Sequence, residues 1–207
     1  MNYFSVKTKN EVEKVIERSR FITFVCPCEN EEIARAILDE RKKLHKTATH
    51  NCYAYITNFG GYSRFSDDGE PSGTAGMPIM EAIKSFNLTN AIVVVTRYFG
   101  GIKLGAGGLT RAYLNCALEG IKAASVVKFV ECYKWQLALQ YDDYQAFLRF
   151  TKNKNVIIEN VDYADKITVN LCVPITQVDE FDSDFTNTFC GKYLPQRGEK
   201  VYRTFEE

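Results

Sequence analysis

Apolar and polar residues recur along this chain with two different periods, and the order of the periods outlines its elements. Residues 10–26 alternate and then turn apolar, from Val12, Val15 and Ile16 into Phe21-Ile22-Thr23-Phe24-Val25, which predicts a β-hairpin. Asn30 stands where a helix N-cap belongs. Glu31 and Glu32 follow it, while Arg41, Lys42, Lys43 and Lys46 come at the far end, a polarity that suits the helix dipole. Ile33, Ala34, Ile37, Leu38 and Leu44 form its apolar face. Residues 51–57 read as a strand and Phe59-Gly60-Gly61-Tyr62 as a turn. A polar loop over 66–74 leads to Thr74, a candidate cap for a helix carrying Ile79, Met80 and Ile83. The run Ala91-Ile92-Val93-Val94-Val95 reads as a buried strand reaching Tyr98. Beyond a glycine-rich loop, Leu109, Tyr113, Cys116, Ala117, Gly120, Ile121 and Ala124 recur at three and four, which is one packed helical face. Val126 to Glu131 returns as a strand.

Past Cys132 the pattern changes. Trp135, Leu137 and Leu139 alternate as a strand, and Asp142 to Lys152 reads as a helix with Tyr144, Phe147, Leu148 and Thr151 inward. Val156-Ile157-Ile158 and then Ile167, Val169, Leu171 and Val173 predict two strands. Val178, Phe181, Phe185 and Phe189 mark a second helix, and Val201 to Phe205 a last strand. The order β-α-β-β-α-β is the ferredoxin-like unit. The expected class is therefore α+β, with one domain over residues 1–132 and a ferredoxin-like domain over 133–207.

Composition narrows the class. With 207 residues, 45% hydrophobic and 25% charged, the chain is ordinary for a globular protein and has no signature of disorder. Lysine plus arginine and aspartate plus glutamate balance at 26 each, but not along the chain: residues 1–130 hold 17 basic against 13 acidic, and residues 131–207 hold 9 against 13. That asymmetry suits a first half that faces a polyanion, and it equally suits a solvated surface. Seven cysteines without a framework of spacings favour a reducing compartment, and Cys26-Pro27-Cys28 lacks the second pair of a structural zinc site. The early charges Lys7, Lys9 and Glu11 leave no room for a signal peptide, and no run is long enough to span a membrane. The expectation is a cytoplasmic protein.

The segment with most chemistry in it is Arg97-Tyr98-Phe99-Gly100-Gly101-Ile102-Lys103-Leu104-Gly105-Ala106-Gly107-Gly108. It joins a strand to a helix, so its glycines can turn tightly and the helix start offers unpaired N–H groups to an anion. Arg97, Lys103 and Arg111 add positive charge, and Tyr98 an aromatic face. The loop is not a Walker A loop, since no Gly-Lys-Ser/Thr follows, and Thr110 stands where a dinucleotide fingerprint needs its third glycine. Two readings stay open: contact with phosphate or RNA through Arg97, Tyr98, Gly100, Gly101, Lys103, Gly105, Gly107, Gly108 and Arg111, or close strand–helix packing alone. Asp67, Asp68 and Glu70 put three carboxylates in four residues, the donor type for a hard cation or for acid–base catalysis, and equally a capped turn. His50 and Cys52, two apart on a strand, share a face. They read as a packed pair, with His50 also a candidate ligand contact.

Ser19-Arg20-Phe21-Ile22, His50-Asn51-Cys52-Tyr53-Ala54, Asp67 through Gly76 and Arg97 through Gly105 together resemble the Impact family, including its bacterial YigZ-type members. The resemblance implies a first domain folded like the second domain of ribosomal small-subunit protein five, and a second like a ferredoxin-like domain of elongation factor G. Eukaryotic relatives act in translational control, binding an activator of a stress kinase through a chain with an extra N-terminal module. The family has no agreed catalytic activity. The expected function is thus a translation-associated regulator, not a catalyst, that binds RNA, the ribosome or a translation factor through the glycine-rich basic loop, with no cofactor and no membrane partner. The alternatives are a metal-assisted hydrolase or transferase of a phosphorylated substrate using Asp67, Asp68, Glu70 and His50, and a protein-binding adaptor.

Overall fold

The computed structural model describes residues 2–205 and divides into two units, one from Tyr3 to Lys128 and the other from Phe129 onward together with Asn2. The first unit contains β1 (Tyr3–Val6), β2 (Asn10–Ile16), β3 (Ser19–Pro27), α1 (Glu31–Leu44), β4 (His50–Thr57), β5 (Tyr62–Ser66), α2 (Gly76–Ser85), β6 (Ala91–Tyr98) and α3 (Gly105–Ala123). Its sheet runs β2-β3-β6-β4-β5, antiparallel throughout.

The central strand β6 explains its own unbroken apolar sequence, because helices cover both of its faces. Val93 and Val95 join Phe21, Val25, Cys52 and Ala54 beneath α2 and α3, against Ile79, Ile83, Tyr113, Ala117 and Ile121. Ile92 and Val94 face the other way, toward Ala34 and Leu38 of α1. All four β6 residues are fully buried, and each such side chain contributes about 1.5–3 kcal/mol relative to exposure.

The caps divide on inspection. Asn30 caps α1 as its sequence predicts, its side chain accepting from the Ile33 amide at 2.9 Å. Thr74 does not cap α2. Its hydroxyl donates to the Pro71 carbonyl at 2.7 Å, and the amides at the helix start are met by Asp67 instead. Two short strands were not expected: β1, and β5, which is exposed over Tyr62–Phe65.

In the second unit, β7 (Val126–Leu139) enters from the first and runs without a break through the change of pattern at Cys132. It is followed by α4 (Tyr141–Thr151), β8 (Ile157–Tyr163), β9 (Ile167–Pro174), α5 (Val178–Thr188) and β10 (Gln196–Thr204), which starts five residues before the predicted strand. The order β10-β7-β9-β8, all antiparallel, is the ferredoxin-like arrangement. Trp135 anchors its core edge-on to Phe181 and Phe185, and its indole N–H donates to Asp182 Oδ1 at 2.9 Å. Among the described residues, no helix is long and apolar enough to cross a membrane.

Candidate functional site

Three pieces of the first unit converge at one end of its sheet: the start of β4, the loop between β5 and α2, and the loop between β6 and α3. Strand alternation decides which side chains meet there. Arg97 lies on the α3 side with Val95 and Val93. Its neighbour Tyr98 is turned to the α1 side, where its hydroxyl sits 2.9 Å from His45 Nδ1. The two residues that adjoin in sequence therefore do not share a surface.

Arg97 is 4% exposed, and its charge is met from within the protein. Nη1 donates to Glu70 Oε1 at 2.7 Å and Nη2 to Ser19 Oγ at 3.2 Å, while the Phe21 and Phe99 rings each lie 5.4 Å from the guanidinium carbon. Glu70 Oε1 also accepts from the Tyr113 hydroxyl at 2.8 Å. A charge this deep needs such partners. One group is left over: among the described residues, the buried Nε of Arg97 has no hydrogen-bond partner.

The acidic loop separates into three roles. Asp67 accepts from the amides of Gly73, Ala75 and Gly76 at 2.8–3.0 Å and so caps α2. Burial pushes its carboxyl up, but the three amide bonds outweigh burial and hold it below its ordinary value of 3.8. Asp68 accepts from the Asn51 amide at 2.6 Å, with Lys42 3.5 Å away. Both carboxylates thus serve the backbone. Glu70 turns inward to Arg97. Among the described residues, no group of three or more His, Cys, Asp or Glu is placed to hold a metal ion.

Because the folded-state pKa of Asp67 is depressed, its contribution to stability is present above the unfolded value and is lost as pH falls through the folded one. Asp67→Ala is expected to cost about 2 kcal/mol near neutral pH, from orphaned amides at a helix start. In urea unfolding, Asp67→Asn should also reduce the loss of stability below about pH 4 seen in the parent protein.

His50 and Cys52 do not form a nucleophilic pair. The Cys52 thiol donates to the Asp67 carbonyl at 2.9 Å and lies 3.4 Å from the Tyr113 hydroxyl, and burial pushes its pKa well up, away from the reactive thiolate. His50 Nδ1 lies 2.9 Å from the Asp68 carbonyl, which can only accept, so Nδ1 carries the proton. Nε2 then faces Glu70 Oε2 at 3.8 Å. At the basic end of α1, Arg41 is buried rather than offered to solvent. It is paired with Glu11, and it donates to His45 Nε2 at 2.7 Å.

The glycine loop remains open at its far end. Gly105 begins α3 at φ +68°, a backbone conformation that disfavours any side chain, and among the described residues no side chain caps the helix. The first turn is exposed at Gly105, Ala106 and Gly107. Thr49, His50, Glu70, Pro71, Arg97, Phe99, Lys103 and the start of α3 line a cleft of about 450 Å³. A second concavity of about 480 Å³ runs past Lys103, Gly108 and Arg111 toward Ile16 and Glu17. Lys103 stands where the two meet. Sequence reasoning named these cations and His50, but it left out Ser19, Thr49 and Tyr113, which are ordinary packing residues until the fold brings them to Arg97 and Phe99.

The first unit's site lies within a stretch that matches a known family. The profile of the Impact N-terminal domain matches residues 17–121, and a domain of unknown function, DUF1949, matches residues 137–192. The IMPACT family member YvyE of Bacillus subtilis (strain 168) is 36% identical over 202 residues, covering 97% of this chain and 93% of its own. Protein IMPACT of Oryctolagus cuniculus is 39% identical over 83 residues, 39% of this chain and 26% of that one. A crystal structure described as that of a hypothetical protein is 26% identical, covers 96% of this chain and 98% of its own, and superposes with a TM-score of 0.61. With the Impact N-terminal profile matched over residues 17–121 and 36% identity to a family member over 97% of the chain, the chain belongs to the Impact family.

Proposed function

We propose that this protein is a regulator of translation that engages RNA phosphate at the open start of α3. One observation carries the reading: an uncapped, exposed helix N-terminus beside Lys103, in a cleft, with Arg111 in the adjoining concavity. Such a terminus holds about half a positive charge and several free amides, which suit a phosphate. Membership of a family whose eukaryotic relatives act in translational control supports the setting. Arg97 has a different part from that expected of an exposed cation, since it anchors the loop through Glu70 and leaves Lys103 and Arg111 to face solvent.

The test is binding of a single-stranded RNA, and sedimentation with ribosomes, across a salt series. Lys103→Ala combined with Arg111→Ala is expected to weaken binding and to flatten its salt dependence by about 1.4 in the log–log slope, from two phosphate contacts. Binding unchanged at every ionic strength would remove this reading. It would turn attention to the exposed aromatics Phe59, Tyr62 and Phe65 as a protein-binding face.

A further inference from the structure

We infer that His45 is an acid-opened latch that ties the end of α1 to the head of the glycine loop. The latch lies on the α1 side of the sheet, and no part of it depends on phosphate binding.

The partners of the imidazole fix its protonation state. Arg41 Nη2 lies 2.7 Å from His45 Nε2, and a guanidinium can only donate, so Nε2 holds a lone pair. The ring is therefore neutral, its proton is on Nδ1, and Nδ1 donates to the Tyr98 hydroxyl at 2.9 Å. Arg41 is held in place. It is 5% exposed, pairs with Glu11 at 2.5 Å, and has its guanidinium carbon 4.5 Å from the Phe24 ring centroid. A proton added at Nε2 would thus meet a fixed cation at hydrogen-bond distance. His45 itself is half-buried, so it can swing to solvent where Arg41 cannot.

Charged or titratable groups face the imidazole from each element around it: Arg41 of α1, Glu11 of β2, Arg20 of β3 and the Tyr98 phenol of β6. Burial first, and then Arg41, holds the ring below its ordinary 6.5, with Arg20 acting the same way and Glu11 opposing. Glu11, the carboxylate of this group, already pairs with Arg41. Once released, the ring regains its ordinary affinity for a proton, so acid favours the released state. The latch is closed above 6.5 and opens as pH falls through the lower, closed-state value.

What it holds is the junction of α1, β4 and the loop. The His45 amide closes α1 by donating to the Arg41 carbonyl at 2.9 Å, and the His45 carbonyl accepts from the Ala48 amide at 3.0 Å. Farther along the same turn, the Thr49 amide donates to the Arg97 carbonyl at 2.8 Å, and the Thr49 hydroxyl accepts from the Phe99 amide at 3.0 Å. The bond from His45 to Tyr98 is thus one of several ties between this turn and residues 97–99. Releasing it frees Tyr98 at the middle of that stretch.

Long-range 1H–15N spectra of the full chain, recorded from about pH 8 to about pH 5, test this. The chain has 2 histidines, and His50 pairs in register with Arg97 on the opposite face, so each imidazole reports its own surroundings once assigned. His45 is expected in the Nδ1–H form at the top of the range and to titrate below 6.5, and the Tyr98 and Phe99 amide signals should shift with the same midpoint. In His45→Gln, which keeps a donor and an acceptor but does not titrate, those amide shifts should be lost. An Nε2–H form, or a midpoint at or above 6.5, would overturn the latch. So would amides that stay still in the parent protein, or amide shifts that persist in a folded His45→Gln and therefore belong to His50. The tautomer and the midpoint need no variant, so they decide the matter even where the substitution prevents folding.

Discussion

Arg97→Ala is expected to destabilise the first unit by about 3–5 kcal/mol, measured by urea unfolding followed by far-ultraviolet circular dichroism. The side chains of Arg97 and Glu70 are 5% and 3% exposed, so neither charge can turn to water when its partner is removed. The loss would come from a stranded carboxylate in an apolar setting, not from the worth of the pair itself. Arg97→Met combined with Glu70→Leu should therefore recover much of the stability lost in the single variant, because it removes both charges together. A single-variant loss below about 1 kcal/mol would mean that Glu70 is solvated or protonated in the folded state, contrary to the geometry described. The same substitution cannot report on RNA contact, since any loss of binding would follow from loss of the loop's anchor.

Gly100→Ala is the second large effect, at about 3 kcal/mol. A Cβ at this position would lie 2.0 Å from the Arg18 carbonyl oxygen and 2.5 Å from the Ser19 amide nitrogen. Those are main-chain atoms of the β2–β3 turn and of the strand that pairs with β6, so they cannot swing aside as a side chain can. Gly100 also donates its amide to Ser19 Oγ, the oxygen that receives Arg97. Crowding here should therefore displace the loop and loosen the buried pair at once. Gly107→Ala is the control. Its Cβ would meet only the flexible tip of Arg111 at 3.6 Å, and in a helix the change should stabilise by up to about 1 kcal/mol. If both variants unfold at the parent's midpoint, the loop does not depend on this close approach.

The contrast shows where sequence reading reached and where it stopped. The glycines of the loop look alike in sequence, yet Gly100 is required by a neighbour 82 positions earlier and Gly107 is not. The carboxylates at 67, 68 and 70 also look alike. One caps a helix, one holds a strand amide and one balances a buried arginine, because a turn sends adjacent side chains in different directions. Arg97 and Tyr98 read as one basic and aromatic unit, but a strand's period of two sends them to opposite faces. The strand β5 was illegible for a different reason. An edge strand with exposed side chains has no burial pattern to betray it, only backbone pairing to β4.

The sequence by itself determined the elements and their chemistry: apolar periods placed the buried strands and helices, Asn30 marked a helix start, and the order of the last six elements specified a ferredoxin-like unit. Those signals are local, written in spacings of two, three and four residues. Tertiary structure alone decided which charges face solvent, because that depends on partners far away in the chain, such as Glu70 and Ser19 around Arg97. It left Lys103 and the start of α3 exposed while it buried Arg97, since a low-dielectric interior admits a charge only with its counter-charge beside it.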